Sequence, residues 1–172
     1  MHFQNLPVVV AIAALLLPMP CSSAELNVPV AARLVSFLQP APTGSIPAAI
    51  IYQPGNAASE AEAAQIERRI GRGLAVGRAT IHVSRVSVSD LSALSGKRIA
   101  FVTSGIRSQA AVAAAASRGA ILTITSDISC VQAGHCVVGV TGAKSQITVN
   151  RAAARAAKVR FGSAFLMLVK EI

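Results

Sequence analysis

The chain has 172 residues, of which 53% are hydrophobic and 13% are charged, and its formal net charge is +9. A chain of this length can bury one core, and its basic charge suits an anionic partner. It contains no Trp and one Tyr, so it lacks the aromatic platform on which binders of single-stranded nucleic acid stack bases. We therefore expect no nucleic acid among its partners.

Residues 1–24 have the composition of a cleavable signal peptide. The apolar run 7–17 is shorter than the roughly 20 residues that span a bilayer, and small residues precede position 25, as signal peptidase requires. Lipidation of Cys21 and a buried N-terminal helix are the alternatives, and the segment carries no Lys or Arg. We expect cleavage near Ala24, a periplasmic protein, and a single domain over residues 25–172.

The mature chain opens with a predicted helix and a predicted strand. Residues 30–38 place apolar side chains at helical spacing between Pro29 and Pro40, which suit the start and the end of a helix. Residues 41–47 are rich in loop-forming types. The apolar run 48–52 predicts a buried first strand.

A capping box predicts the start of the second helix. Ser59 precedes Glu62 by three residues, so the serine would cap the helix and the glutamate would reach back to the serine's backbone N–H. Ala63, Ile66 and Ile70 then fall on one face of that helix.

Three further segments predict strands. Residues 80–88 alternate between apolar and polar with a break at Ser84-Arg85, which indicates a half-buried strand with a bulge, or an edge strand. Residues 99–103 and 121–125 are apolar strands joined by an alanine-rich helical run, the pattern of a parallel pair with a crossover helix. The alternation of predicted helices and strands along the chain predicts an α/β fold, a three-layer-like sandwich whose mainly parallel sheet is flanked by helices.

Residues suited to catalysis are scarce. No Ser lies in a G-x-S-x-G turn, and no two carboxylates are placed for acid–base work. Ser104-Gly105, between a strand and a helix, could hold an anion on its backbone N–H groups, but a plain turn explains it better. We expect no enzyme activity, no catalytic residues and no cofactor.

Cys130 and Cys136 are the two cysteines left after cleavage. An even pair in an oxidising compartment favours a disulfide. A zinc site with His135 is the competing interpretation, but zinc needs further ligands, and only Asp127 is near in sequence. We expect the disulfide and no metal.

Several segments carry a resemblance to a known family. They are Phe101–Ser104, Ile121–Asp127, Gly134 and Val149–Ala157. In this order they resemble the YfiR-like proteins of Gram-negative bacteria, which are small periplasmic modules.

The resemblance implies a regulator without enzyme activity. Such a protein would bind the periplasmic domain of a membrane-bound diguanylate cyclase and repress it, lowering cyclic di-GMP and biofilm formation. An OmpA-like outer-membrane lipoprotein is a further implied partner. A periplasmic module that binds a small molecule or an anion at the carboxyl ends of its strands is the alternative.

The chain's end is the candidate partner interface. Val159, Phe161, Phe165 and Leu166 are more apolar residues than one short terminal element buries easily. A last element that completes the core is the alternative explanation. The oligomeric state stays open, and a homodimer is compatible with the sequence.

Overall fold

The computed structural model describes residues 25–142 and 144–172, so the signal-peptide prediction for residues 1–24 lies outside the described residues. The helices are α1 (Val28–Arg33), α2 (Ala57–Ile70), α3 (Gln109–Gly119), α4 (Ile128–Gln132), α5 (Arg151–Ala156) and α6 (Ser163–Leu166). The strands are β1 (Gly44–Tyr52), β2 (Leu74–Val76), β3 (Ala79–Ser87), β4 (Ile99–Val102), β5 (Leu122–Thr125), β6 (Val138–Thr141), β7 (Gln146–Val149) and β8 (Lys170–Glu171). Short 3₁₀ helices span Leu34–Phe37 and Leu91–Leu94.

The strands form one sheet in the order β2-β3-β1-β4-β5-β6-β7-β8. The five strands from β3 to β6 in this order run parallel, while β2 and β7 are antiparallel to their neighbours β3 and β6. The chain passes from β1 to β3 on one side and later to β4 on the other, so the strand order reverses between β1 and β4. Open α/β sheets bind ligands at such a reversal, outside the carboxyl ends of the strands.

The sheet is buried on both faces. Ile46, Ala48 and Ile50 of β1 belong to a core shared with α1, α2, α5 and α6. The intervening Ala49 and Ile51 belong to a second core, which α3 and α4 share. Alternate residues of a strand point to opposite faces, so each apolar strand supplies both cores. The predicted three-layer α/β sandwich with a mainly parallel sheet is confirmed.

Three local predictions are wrong. β1 begins at Gly44, inside the predicted loop 41–47, because Gly44 to Pro47 pair with the first residues of β3. β3 pairs with β1 over nine consecutive residues, so the bulge predicted at Ser84-Arg85 does not form. The predicted helix 30–38 is α-helical only to Arg33 and continues as a 3₁₀ helix to Phe37.

β3 is an edge strand over only part of its length, so the alternative interpretation as an edge strand is partly confirmed. β2, which was not predicted from the sequence, covers only Ala79 to Ile81 of β3. Across the described ranges, no helix is both long enough and apolar enough to cross a bilayer.

Candidate functional site

The start of α2 differs from the predicted capping box. Asn56 caps the helix, since its Oδ1 accepts a hydrogen bond from the N–H of Ser59 at 3.1 Å. Ser59 therefore lies inside the first turn and is fully buried. Its hydroxyl accepts from the N–H of Gln53 at 2.8 Å and lies 2.7 Å from Oγ1 of Thr103. The capping-box prediction is wrong because both of its side chains bond to other parts of the fold.

Glu62 joins α2 to the ends of two strands. Its side chain reaches across the carboxyl edge of the sheet, and the residue is only 7% exposed. Oε2 accepts hydrogen bonds from the backbone N–H and the hydroxyl of Ser104, at 2.7 and 2.8 Å. Oε1 accepts from the hydroxyl of Ser126 at 2.7 Å. We call Ser59, Glu62, Thr103, Ser104 and Ser126 the carboxyl-edge network.

The network lies at the reversal of strand order, where this architecture usually binds a ligand. The N–H of Ser104, which the sequence suggested for an anion, holds the chain's own carboxylate. Gly105 follows with a φ of +76°, and a Cβ there would meet Nδ2 of Asn56 at 2.5 Å. Protein side chains thus close this crevice and brace the loops after β1, β4 and β5.

The two cysteines belong to the second core, which α3 and α4 cover. Cys130 is in α4 and Cys136 precedes β6, and their Sγ atoms are 2.06 Å apart. Asp127, the nearby ligand that a zinc site would need, caps α4 by accepting from the N–H of Ser129 at 2.9 Å. Within the part of the chain that the structure describes, no cluster of His, Cys, Asp and Glu is suited to a metal. The pair ties α4 to the start of β6.

The predicted interface residues lie together but differ in burial. Phe165 is 3% exposed and belongs to the core. Its ring stacks on Phe37 at a centroid distance of 4.8 Å and lies 5.1 Å from the ring of Phe161. Val159, Phe161 and Leu166 are half-buried against the same core. The core alternative therefore applies to Phe165, while the other three residues keep part of their surface in solvent.

Two apolar side chains beside them are almost fully exposed. Met167 and Leu168 follow α6 and are 84% and 82% exposed. We call the surface formed by Phe161, Leu166, Met167 and Leu168 the terminal surface. The interface predicted from the sequence lies in this segment but did not include Met167, because an apolar run does not reveal which of its residues the fold leaves exposed.

An open groove of about 260 Å³ adjoins the terminal surface. Its apolar lining includes Val159, Phe161 and Leu166, and its charged lining includes Arg151, Arg155 and Arg160. Arg151 pairs with Glu171 at 3.3 Å. The groove therefore presents an excess of positive charge next to an apolar surface.

Comparison with known protein families identifies the family of this chain. A sequence profile described as YfiR/HmsC-like matches residues 33–170, from the end of α1 to the first residue of β8. No curated protein matches the sequence significantly. The match includes the network, the disulfide and the terminal surface, and the resemblance seen in the sequence is confirmed. The chain belongs to the YfiR/HmsC-like family.

Proposed function

We propose that this protein is a periplasmic regulator that binds the periplasmic domain of a membrane-bound diguanylate cyclase and holds the enzyme inactive. Its family supports this function, because YfiR-like proteins are regulators of diguanylate cyclases rather than enzymes. Loss of the protein then raises cyclic di-GMP and increases biofilm formation. An OmpA-like outer-membrane lipoprotein is a further proposed partner.

The terminal surface is the observation that carries this proposal. Met167 and Leu168 expose most of their side chains, and contiguous exposed apolar area in a folded domain marks an interaction site. Phe161 and Leu166 extend this area, with Val159 in the groove wall beside them. Phe165 supports the surface from within the core. We propose that the cyclase contacts this surface.

One observation favours a second candidate function. The groove combines apolar walls with Arg151, Arg155 and Arg160, which suits a small amphipathic molecule that carries an anionic group. The carboxyl-edge crevice gives this alternative less support, because Glu62 fills it.

The regulator must be exported to reach its partner. We propose that residues 1–24 are a signal peptide cleaved near Ala24. The intact mass of protein recovered from the periplasm should correspond to a chain that begins at or near Glu25. A product that begins at a lipidated Cys21, or an uncleaved cytosolic product, would contradict this step.

Deletion and complementation test the function itself. Deleting the gene should raise cyclic di-GMP and biofilm in the parent cell, and the wild-type gene should restore both. A pull-down from membranes should recover a diguanylate cyclase with the wild-type protein and much less with the Met167→Asp/Leu168→Asp variant. Unchanged cyclic di-GMP in the deletion strain would refute the repressor function.

A further inference from the structure

Five exposed arginines lie on neighbouring segments at one corner of the fold. We call Arg33, Arg68, Arg69, Arg72 and Arg78 the basic corner. Arg33 ends α1, and Arg68 and Arg69 are in the last turn of α2. Arg72 follows α2, and Arg78 is in the turn between β2 and β3.

Backbone contacts hold these segments together. α1 packs against both α2 and β2. A methyl group added at Gly77 would lie 3.8 Å from Cβ of Ser36, so the β2–β3 turn touches the segment after α1. The carbonyl oxygen of Arg72 accepts a hydrogen bond from Nδ1 of His82 at 2.8 Å, and that of Arg78 accepts from the N–H of Gly44 at 3.0 Å. The arginines therefore belong to a fixed surface.

The positive charge of this corner is not neutralised locally. Glu67, the acidic residue beside it on α2, pairs with Arg85 at 2.8 Å. Glu60 and Glu62 lie at the other end of α2 and bond to Gly55 and to the carboxyl-edge network. Among the described residues, none of the five arginines forms an ion pair.

Helix stability accounts for only part of the basic corner. Cations in the last turn of a helix interact favourably with its dipole, which explains Arg33, Arg68 and Arg69. Arg72 and Arg78 lie outside the helices and gain nothing from this effect. Because the exposed side chains come from four segments, they suit an extended array of anionic groups better than one small anion.

The basic corner is continuous with the terminal surface. The segment after Arg33 contacts the β2–β3 turn through Ser36, and its next residue, Phe37, stacks on Phe165. Leu38 then forms a bridge with Phe161. One stretch of chain therefore borders both surfaces.

We propose that the basic corner docks on the anionic head groups of a lipid bilayer. The proposal rests on the proposed function, which places the protein beside a membrane that carries its partner. Phospholipid head groups offer the extended negative charge that several exposed arginines match, and each basic residue near such a surface strengthens binding about fivefold. Membrane docking would keep the terminal surface close to a membrane-bound partner and raise its effective concentration there.

Vesicle flotation tests this proposal without the cyclase. Protein purified from the periplasm after expression of the full chain is mixed with vesicles of phosphatidylethanolamine and phosphatidylglycerol, or of phosphatidylcholine alone. We expect binding to the anionic vesicles only, and release at high salt, because screening weakens exposed charges. The Arg69→Gln/Arg72→Gln/Arg78→Gln variant should bind about a hundredfold more weakly.

A matched variant controls for net charge. Arg107, Arg118 and Lys144 are exposed residues outside the basic corner, and their triple replacement by Gln removes the same three charges. This control should retain most vesicle binding, and both variants should keep the wild-type melting temperature. Equal losses in both variants, or no binding of the wild type to anionic vesicles, would overturn the proposal. Binding of the wild type to poly-glutamate but not to anionic vesicles would also overturn it and indicate an acidic protein partner. Because no cyclase is present, a negative result leaves the repressor proposal intact.

Discussion

The carboxyl-edge network and the terminal surface differ in both polarity and exposure. The network consists of polar side chains, all buried except the partly buried Ser104, that are hydrogen-bonded to one another and to strand ends. The terminal surface consists of apolar side chains, two of which are more than four-fifths exposed. Buried polar groups with their partners in place stabilise one arrangement of loops, whereas exposed apolar area is available to a partner. The comparison assigns an architectural role to Glu62 and leaves Met167 and Leu168 as the residues of the proposed interface.

The largest loss of stability is expected for Glu62→Ala. It leaves the N–H and hydroxyl of Ser104 and the hydroxyl of Ser126 without their acceptor, which should cost about 3 to 5 kcal/mol of unfolding free energy. Chemical denaturation measures this cost. Glu60→Ala is the matched control, since Glu60 is exposed, and it should cost less than about 1 kcal/mol. Similar losses of unfolding free energy in the Glu62→Ala and Glu60→Ala variants would contradict an architectural role for the network.

Phe165→Ala should be nearly as destabilising. The side chain is buried and contacts the rings of Phe37 and Phe161, and such truncations cost about 3 to 5 kcal/mol. The melting temperature of the Phe165→Ala variant should fall by several degrees more than that of the Leu166→Ala variant, because Leu166 is only half-buried. A melting temperature equal to that of wild type would place Phe165 at the interface instead of in the core.

Loss of the Cys130–Cys136 bond should have an intermediate effect. Closing so short a loop contributes roughly 2 to 2.5 kcal/mol in the chain-entropy model, so the Cys130→Ala/Cys136→Ala variant should melt several degrees below wild type. Peptide mapping without reductant should find the two cysteines linked in the exported protein. Two free thiols, or one bound zinc per chain, would reject the disulfide.

The smallest effect on stability and the largest on function are expected at Leu168. Leu168→Asp changes an exposed side chain and should alter stability by less than about 0.5 kcal/mol. It should nevertheless raise cyclic di-GMP in the cell to the level of the deletion strain, because a charge is placed inside the proposed interface. Leu91→Ala, on the other core, should keep repression. Full repression by Leu168→Asp would move the interface elsewhere.

The sequence predicted the layered fold because its evidence is local. Apolar runs at 48–52, 99–103 and 121–125 mark strands that are buried on both faces, and periodicity reveals such segments. β2 was not predicted because a strand of three residues is too short to show a periodic pattern of apolar side chains.

The network could not be predicted because its bonds join distant segments. Glu62 meets serines 42 and 64 residues away, while Ser59 and Glu62 also match the local pattern of a capping box. Whether Ser59 and Glu62 form a capping box or the network depends on their burial, and burial is a property of the whole fold. Of the residues in the terminal surface, Phe161 and Leu166 were named from the sequence and Met167 was not.

Inhibition of the cyclase in isolated membranes tests the central claim most directly. Membranes that contain the cyclase and lack this protein are given GTP, and cyclic di-GMP synthesis is measured as purified protein is added. The wild type should inhibit synthesis in a saturable manner. Met167→Asp/Leu168→Asp should not inhibit, although it should melt at the wild-type temperature. Equal inhibition by this variant, or no inhibition by the wild type at any concentration, would contradict the claim that the terminal surface represses the enzyme.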